Sequence, residues 1–136
     1  GAGKAEKVKL DEKDAVIARM PIAARLKGAS PSALVSRSHN CDATDAYIRK
    51  AAILERKTVG SSLKFCMVAE GVADLYPRFS PTMEWDTAAG DAVLRAAGGM
   101  VATEDGAPLT YGKRLPGLRA FENPPFLATG RPSERG

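Results

Sequence analysis

One stretch, residues 84–99, constrains the fold of this chain more than any other. It reads EWDTAAGDAVLRAAGG, and its apolar residues recur at helical spacing: Trp85, Ala88, Ala89, Ala92, Val93 and Ala96. This spacing predicts a short helix that buries its apolar face, with Trp85 anchored in the core. The pair Gly98-Gly99 can end the helix at positive φ.

Asp86 falls in the first turn of that predicted helix. Backbone N–H groups are unpaired there and the helix dipole favours negative charge, so we expect an ionised carboxylate pointing out of the helix end. Such a carboxylate could hold a metal or orient a phosphate; an ordinary helix cap is the alternative. The small residues around Gly90 would let another backbone or a ligand approach closely.

A second candidate site is the turn Gly60-Ser61-Ser62, between a predicted strand end and a helix over residues 63–70. Its hydroxyl and N–H groups, with the cation of Lys64 one turn later, could hold an anion. Simple capping is the alternative explanation.

Two further side chains follow predicted strands. His39, the only histidine, comes directly after a short strand over residues 33–38, where a surface or structural role is the alternative. Arg78 follows Pro77, which is predicted to end a strand over residues 72–76. Its planar guanidinium could bind phosphate with two hydrogen bonds, or it could be an exposed loop arginine.

Residues 59–99 closely resemble the C-terminal half of the inositol monophosphatase superfamily, and within it the CysQ-type 3′(2′),5′-bisphosphate nucleotidases. The motifs that carry the resemblance are Trp-Asp-x-Ala-Ala-Gly with a downstream Ala-Gly-Gly, Gly-Ser-Ser-Leu-Lys-Phe-Cys, and Leu-Tyr-Pro-Arg-Phe. A weaker similarity extends from Gly3 to Phe126. The resemblance implies an α/β fold, a mixed sheet with helices packed on it, in one domain over residues 1–136 with a frayed tail over 131–136.

The resemblance also implies a Mg²⁺-dependent phosphatase that acts on 3′-phosphoadenosine 5′-phosphate, with Asp86 as a metal ligand and substrate contact. The other substrate contacts that it implies are Gly60, Ser61, Ser62, Lys64, Arg78 and His39. Inositol monophosphate or fructose bisphosphate is the alternative substrate, and binding of a phosphate compound without hydrolysis is the alternative function.

The superfamily's first motif, an Asp-Pro-Leu-Asp-Gly-Thr-like loop preceded by a metal-binding glutamate, is absent from these 136 residues. The resemblance therefore implies half an enzyme, inactive without an N-terminal half as its partner chain, and it assigns no catalytic residue here beyond the metal ligand. Association between copies of the chain is the alternative.

The composition of the chain limits the kinds of ligand and partner that we expect. The formal charge of +4 favours anionic ligands, but lysine and arginine are scattered, which disfavours a nucleic-acid partner. No apolar run is long enough to span a membrane. Cys41 and Cys66 lack metal-ligand spacing, and Cys66 is interpreted as a small core residue, so we expect a reducing cytoplasm.

The remaining elements are predicted from local patterns. Residues 7–10 are predicted to form an edge strand. For residues 14–26 the pattern does not decide between a helix, which Pro21 would interrupt, and a strand followed by a loop. Asp42 or Thr44 caps the next helix, whose apolar stripe extends to Leu54. A strand over 100–103, a turn at 105–106, a loop over 112–125 and a final edge strand over 126–128 follow.

Overall fold

The computed structural model describes residues 4–39 and 41–132. The strands within these ranges are β1 (Ala5–Leu10), β2 (Val16–Ile22), β3 (Ser32–Ser36), β4 (Glu55–Val59), β5 (Leu75–Arg78), β6 (Thr82–Met83), β7 (Met100–Thr103), β8 (Glu122–Asn123) and β9 (Phe126–Thr129). The helices are α1 (Asp42–Lys50), α2 (Leu63–Ala69) and α3 (Glu84–Ala96). None of the helices in this part of the chain has the length and apolar character to cross a membrane.

A five-stranded sheet organises the fold, in the order β4-β3-β5-β9-β7. Strand β3 is parallel to β4 and β5, whereas β9 is antiparallel to β5 and β7. Helices α2 and α3 cover one face, where Phe65 and Leu94 join the main core, and Ile48 of α1 packs on the other face. The expected mixed sheet with helices packed on it is confirmed.

Helix α3 forms where it is predicted, and Gly98 ends it with φ of 89°. The predicted buried face, however, is wrong. The buried residues of α3 are Thr87, Gly90, Asp91 and Leu94. Trp85 is 68% exposed, so it does not anchor the core.

Close packing and hydrogen bonding explain this choice of face. A Cβ at Gly90 would lie 2.5 Å from a ring carbon of Phe65, so glycine allows α2 to approach α3 closely. Asp91 is tolerated in the core because Arg95 Nε donates to it at 2.6 Å and the Tyr111 hydroxyl at 2.8 Å. The face that combines Thr87, Gly90 and Asp91 with Leu94 is therefore the buried one.

Residues 5–22 form the hairpin of β1 and β2, which confirms the strand over 7–10 and decides the open segment 14–26 for a strand followed by a loop. Pro21 pairs across from Glu6 within the hairpin. Large apolar side chains are nevertheless exposed on it: Val8, Leu10, Val16, Ile17 and Met20.

Two strand predictions are wrong in their bounds or positions. Pro77 lies inside β5, opposite Leu127 of β9, and does not end the strand. β5 pairs with β3 only at Leu75, two residues before Pro77. The N–H that proline lacks is therefore not needed for a hydrogen bond to β3. β9 is an interior strand between β5 and β7, whereas an edge strand is predicted.

Three terminal assignments also differ. The N-cap of α1 is Cys41, without a side-chain cap bond, so neither Asp42 nor Thr44 caps it. Leu54 lies beyond the helix and is 92% exposed, because the chain turns at Ala52 with φ of 51°. Arg131 is tied down by hydrogen bonds with Ala24 and Arg25, whereas residues 133–136 of the predicted frayed tail lie outside the described residues.

Candidate active site

A cavity of about 540 Å³ opens at the carboxyl ends of β3, β4 and β5. Parallel strands bring their carboxyl ends to one sheet edge, which is where α/β proteins commonly bind ligands. The first turn of α3 forms another wall. All seven residues predicted for the site line this cavity: His39, Gly60, Ser61, Ser62, Lys64, Arg78 and Asp86.

Asp86 occupies the third position of α3, as predicted, and its carboxylate is exposed. Its Oδ2 accepts a hydrogen bond from Met83 N at 2.8 Å, which is the ordinary capping contact. This one hydrogen bond is all that the capping role requires, and the same carboxylate also lines the cavity. The cap and the ligand site are therefore compatible.

The loop before β8 fixes the turn that carries Asp86. The carboxylate of Glu84 accepts hydrogen bonds from Gly112 N, Lys113 N and Lys113 Nζ, each at 2.8 Å. Bonding to Lys113 lowers the pKa of Glu84 to about 2. Glu84 N donates to Phe121 O at 2.9 Å, so the start of α3 is held from both its backbone and its side chain.

The side chain of Asn123 also stabilises the turn that carries Asp86. Its Nδ2 donates to Thr82 Oγ1 and to Thr87 Oγ1, both at 3.1 Å, and these threonines lie on either side of Asp86 in the sequence. Asn123 is 3% exposed, and no described residue pairs with its Oδ1. This buried amide therefore joins β8 to both ends of the Asp86 turn.

The turn Gly60-Ser61-Ser62 links β4 to α2, as predicted. Ser61 has φ of 55°, a left-handed conformation that costs a residue with a side chain about 1–2 kcal/mol. Gly60 is not in that region, and a Cβ built on it would meet no protein atom within 4 Å. The space beside Gly60 therefore belongs to the cavity.

Lys64 is buried, with 2% of the residue exposed. Its Nζ donates to Ser61 O at 2.8 Å and to Val59 O at 3.1 Å, and lies 4.9 Å from the centre of the Tyr76 ring. Burial, followed by the nearby charge of Arg78, lowers the pKa of Lys64 to about 8. The ammonium group of Lys64 therefore lies against the backbone of the turn Gly60-Ser61-Ser62.

Arg78 is partly engaged by the protein. Its Nη1 donates to Ser36 Oγ at 2.7 Å, its Nε to Ser80 O at 3.1 Å and its Nη2 to Pro81 O at 3.3 Å. A guanidinium has five N–H donors, so these three bonds leave capacity for an anion in the cavity. His39 is exposed at the rim, and its carbonyl accepts from the Ser80 hydroxyl at 2.8 Å.

Comparison with protein families agrees with this arrangement. The model of the inositol monophosphatase family matches residues 4–129. The chain belongs to the inositol monophosphatase family. Enzymes of this family are metal-dependent phosphatases.

Family members of known name include the 3′(2′),5′-bisphosphate nucleotidases CysQ. The chain is 48% identical to that of Escherichia coli K12 over 96 residues, which cover 71% of this chain and 37% of the relative. It is 46% identical to that of Salmonella typhimurium over 99 residues, with 73% and 39% coverage. The chain therefore spans much less than the full length of these relatives. An uncharacterised Rhizobium leguminosarum protein is 59% identical over 88 residues, which cover 62% of this chain and 90% of that protein.

Solved structures give the same family and fold. The crystal structure of CysQ from Bacteroides thetaiotaomicron matches with a TM-score of 0.67 and 43% identity, covering 83% of this chain and 41% of that one. Inositol monophosphatase from Anabaena matches with a TM-score of 0.60 at 21% identity, covering 84% and 46%. The second match shows the shared fold alone.

The metal that the family implies does not fit this chain by itself. Asp86 is the one acidic side chain among the described residues that line the cavity. Across residues 4–39 and 41–132 there is no group of three or more histidine, cysteine, aspartate or glutamate side chains that could hold a metal ion. Mg²⁺ prefers six oxygen ligands, so Asp86 could supply only a fraction of such a site.

Sequence reasoning missed several residues of the cavity wall. Trp85 was assigned to the core, yet its exposed indole borders the cavity. Arg37 adds a cation to the cavity lining but is not among the predicted site residues, although it lies in the Ser-Arg-Ser-His sequence that ends at His39. Asn123 lies 36 residues beyond Thr87 in the chain, so local patterns give no signal for it; only the pairing of β6 with β8 brings them together.

Replacing Gly60 by alanine tests whether a ligand occupies the space beside the turn. The added Cβ meets no protein atom within 4 Å, so we expect the thermal unfolding midpoint to stay close to that of the native chain. Affinity for a phosphate ligand, measured by calorimetry, should fall about tenfold because the methyl group fills space that the ligand uses. The control is Gly28→Ala, which also has open space but lies outside the cavity lining. Unchanged affinity in Gly60→Ala would place the ligand elsewhere.

Proposed function

We propose that the chain is the C-terminal part of a phosphatase that hydrolyses 3′-phosphoadenosine 5′-phosphate to AMP and inorganic phosphate. The observation that carries the proposal is the cavity itself, whose lining combines cationic side chains with one carboxylate. Arg37, Arg78 and Lys64 line the same cavity as Asp86. A cavity of this charge suits a small ligand with more than one phosphate group.

The choice of nucleotide over inositol phosphate is supported by two observations. The relatives named bisphosphate nucleotidase are 45–48% identical to this chain, whereas the inositol monophosphatase structure from Anabaena is 21% identical. Arg78, in the Leu-Tyr-Pro-Arg-Phe motif, also retains unused donors at the cavity. A guanidinium can bind phosphate through two N–H groups or lie against a base.

The proposal includes an N-terminal half as a partner. Helix α3 leaves a continuous set of apolar side chains exposed, beginning next to Asp86: Trp85, Ala88, Ala89, Ala92 and Val93. Exposed apolar surface of this kind marks an interface. A polypeptide packed on it would lie beside the cavity and could add carboxylates to Asp86. The activity is proposed to need Mg²⁺, with Asp86 as one of several oxygen ligands.

The reaction is hydrolysis of a phosphate monoester. Oxygen from water forms a bond to the phosphorus of the 3′-phosphate, the bond from phosphorus to the 3′ oxygen breaks, and that oxygen gains a proton. The contribution of this chain is to bind and orient the substrate. The turn at Gly60, the guanidinium of Arg78 and the imidazole of His39 line the cavity, where the turn and His39 would orient the substrate and Arg78 would offset the charge of its phosphate.

Phosphate release tests the proposal directly. The 136-residue chain alone should release little phosphate from 3′-phosphoadenosine 5′-phosphate, and addition of the N-terminal half of a related nucleotidase with Mg²⁺ should restore turnover. Inositol monophosphate and fructose bisphosphate, assayed in parallel, should be poorer substrates. Full activity of the isolated chain would refute the need for a partner, and faster turnover of inositol monophosphate would refute the proposed substrate.

A non-catalytic binding role is the second candidate, favoured by the lack of a metal-binding group among the described residues. It predicts Mg²⁺-independent binding of adenosine phosphates that Arg78→Ala weakens, with no hydrolysis in any combination of chains. A second copy of this chain could also cover the exposed face of α3. Sedimentation at rising concentration would detect that self-association.

The proposed location is the cytoplasm. Cys41 and Cys66 are free thiols in the structure. Unpaired cysteines persist most readily in a reducing compartment.

A further inference from the structure

We propose that Lys64 is a positioning residue whose ammonium group holds the turn Gly60-Ser61-Ser62 in its cavity-facing conformation. In this proposal the turn contacts the ligand directly, whereas Lys64 does not. The inference rests on the proposed function for the identity of the ligand, whereas the role of Lys64 in the turn follows from the geometry alone.

The first argument is the number of donors. An ammonium group has three N–H bonds and no acceptor. The carbonyl oxygens of Val59 and Ser61 take two of them, and the centre of the Tyr76 ring lies 4.9 Å from Nζ. Lys64 is 2% exposed. Two of the three donors are therefore taken by the backbone of the turn and the strand before it, and burial limits the access of a ligand to the ammonium group.

The second argument is the conformation of Ser61. Its φ of 55° is unfavourable for a residue with a side chain, so neighbouring contacts must hold it. Ser61 O receives the shorter of the two bonds from Lys64, at 2.8 Å, while Val59 O fixes the end of β4. Lys64 thus joins the strand before the turn to the strained residue within it.

The third argument is electrostatic. Arg78 is the neighbouring cation, Tyr76 presents its ring to Lys64, and Arg37, His39 and Asp86 are the other titratable groups around the cavity. Lys64 loses its charge as the pH rises through about 8. Loss of the proton weakens both carbonyl bonds, so we expect the turn to loosen above that pH.

A ligand-free titration tests this positioning role. The amide signals of Gly60, Ser61 and Ser62 are followed by NMR from pH 6.5 to 10, together with the ε-carbon signal of Lys64. We expect a shared midpoint near pH 8 that disappears for the amides in Lys64→Met. Amide signals that titrate identically in the variant, or that do not move with Lys64, would overturn the proposal. This arm needs neither activity nor a ligand.

A double-mutant cycle with Ser61→Gly separates positioning from direct contact. Glycine adopts positive φ without penalty, so the turn should then need Lys64 less. Lys64→Met should weaken binding of inorganic phosphate about tenfold in the native background, and less than about threefold in Ser61→Gly. Equal losses in both backgrounds would mean that Lys64 acts on the ligand by its charge, against the proposal.

The two arms distinguish the possible failures. If neither inorganic phosphate nor 3′-phosphoadenosine 5′-phosphate binds the chain, the proposed function is in doubt, while the amide titration still decides the role of Lys64. If the ligands bind but the amide signals of the turn do not titrate with Lys64, the positioning role is refuted and the proposed function stands. Circular dichroism of Lys64→Met shows whether that variant folds, and the titration of the native chain requires no variant.

Discussion

Asp86→Asn is expected to reduce phosphate release by about a thousandfold when the chain is assayed together with an N-terminal half. Asparagine has the same shape and its Oδ1 can still accept from Met83 N, so the helix cap survives. Only the negative charge in the cavity is lost. The Mg²⁺ concentration for half-maximal rate should rise if Asp86 is a metal ligand.

The matched control for this substitution is Asp42→Asn, in the first turn of α1 and outside the cavity lining. It removes the same charge from the same kind of helix position, and activity should stay unchanged. Circular dichroism should show that both variants fold. Native-like turnover in Asp86→Asn would mean that this carboxylate serves only as a cap, which would remove the main support for a phosphatase site in this chain.

The position of the site could be predicted because it depends on strand ends. His39, Gly60 and Arg78 each follow a predicted strand, and the observed strands β3, β4 and β5 end close to them, at Ser36, Val59 and Arg78. Parallel pairing of β3 with β4 and β5 then brings the three ends to one edge. Alternating strands and helices favour such pairing, so local patterns were informative.

The face of α3 could not be predicted from hydrophobicity. Most of the apolar residues predicted to be buried, Trp85 to Val93, are exposed. Gly90 and Asp91 face the core instead, because Phe65 needs the space beside Gly90 and the Asp91 carboxylate is bound by Arg95 and Tyr111. Phe65 lies on α2 and Tyr111 in a distant loop, and only Arg95 belongs to the same helix as Asp91. An apolar face that this chain leaves uncovered carries the same signal as a face turned towards its own core.

The positioning role proposed for Lys64 could not be predicted from the sequence for a similar reason. A lysine one turn after Gly-Ser-Ser suggests contact with an anion, and the family resemblance implies the same. In the structure Nζ points into the protein, to Val59 O and Ser61 O. A sequence shows that a cation is near the turn, but only the path of the backbone shows which carbonyl groups it reaches.

Asp74→Ala is expected to lower the free energy of unfolding by about 3–4 kcal/mol, a large share of the 5–15 kcal/mol that is typical of a domain. The Asp74 side chain is 1% exposed, and it accepts from Arg25 Nη2 at 2.6 Å and from Ser32 N at 2.7 Å. It therefore joins the loop after β2 to the start of β3. Alanine would leave the buried N–H of Ser32 without its partner.

The pH dependence of unfolding provides a second test of the same contact. Burial alone would raise the pKa of Asp74, but the bonds from Arg25 and Ser32 outweigh it, and the pKa is lowered. Its stabilisation is then complete above the unfolded value of about 3.9 and is lost as the pH falls through the lower folded value. Asp74→Asn should remove this acid-dependent component. Urea unfolding followed by circular dichroism measures it, since the exposed Trp85 is a weak reporter. The control Glu6→Ala breaks an exposed pair with Arg19 and should cost less than about 1 kcal/mol. An equally small loss in Asp74→Ala would mean that the buried carboxylate of Asp74 does not stabilise the fold.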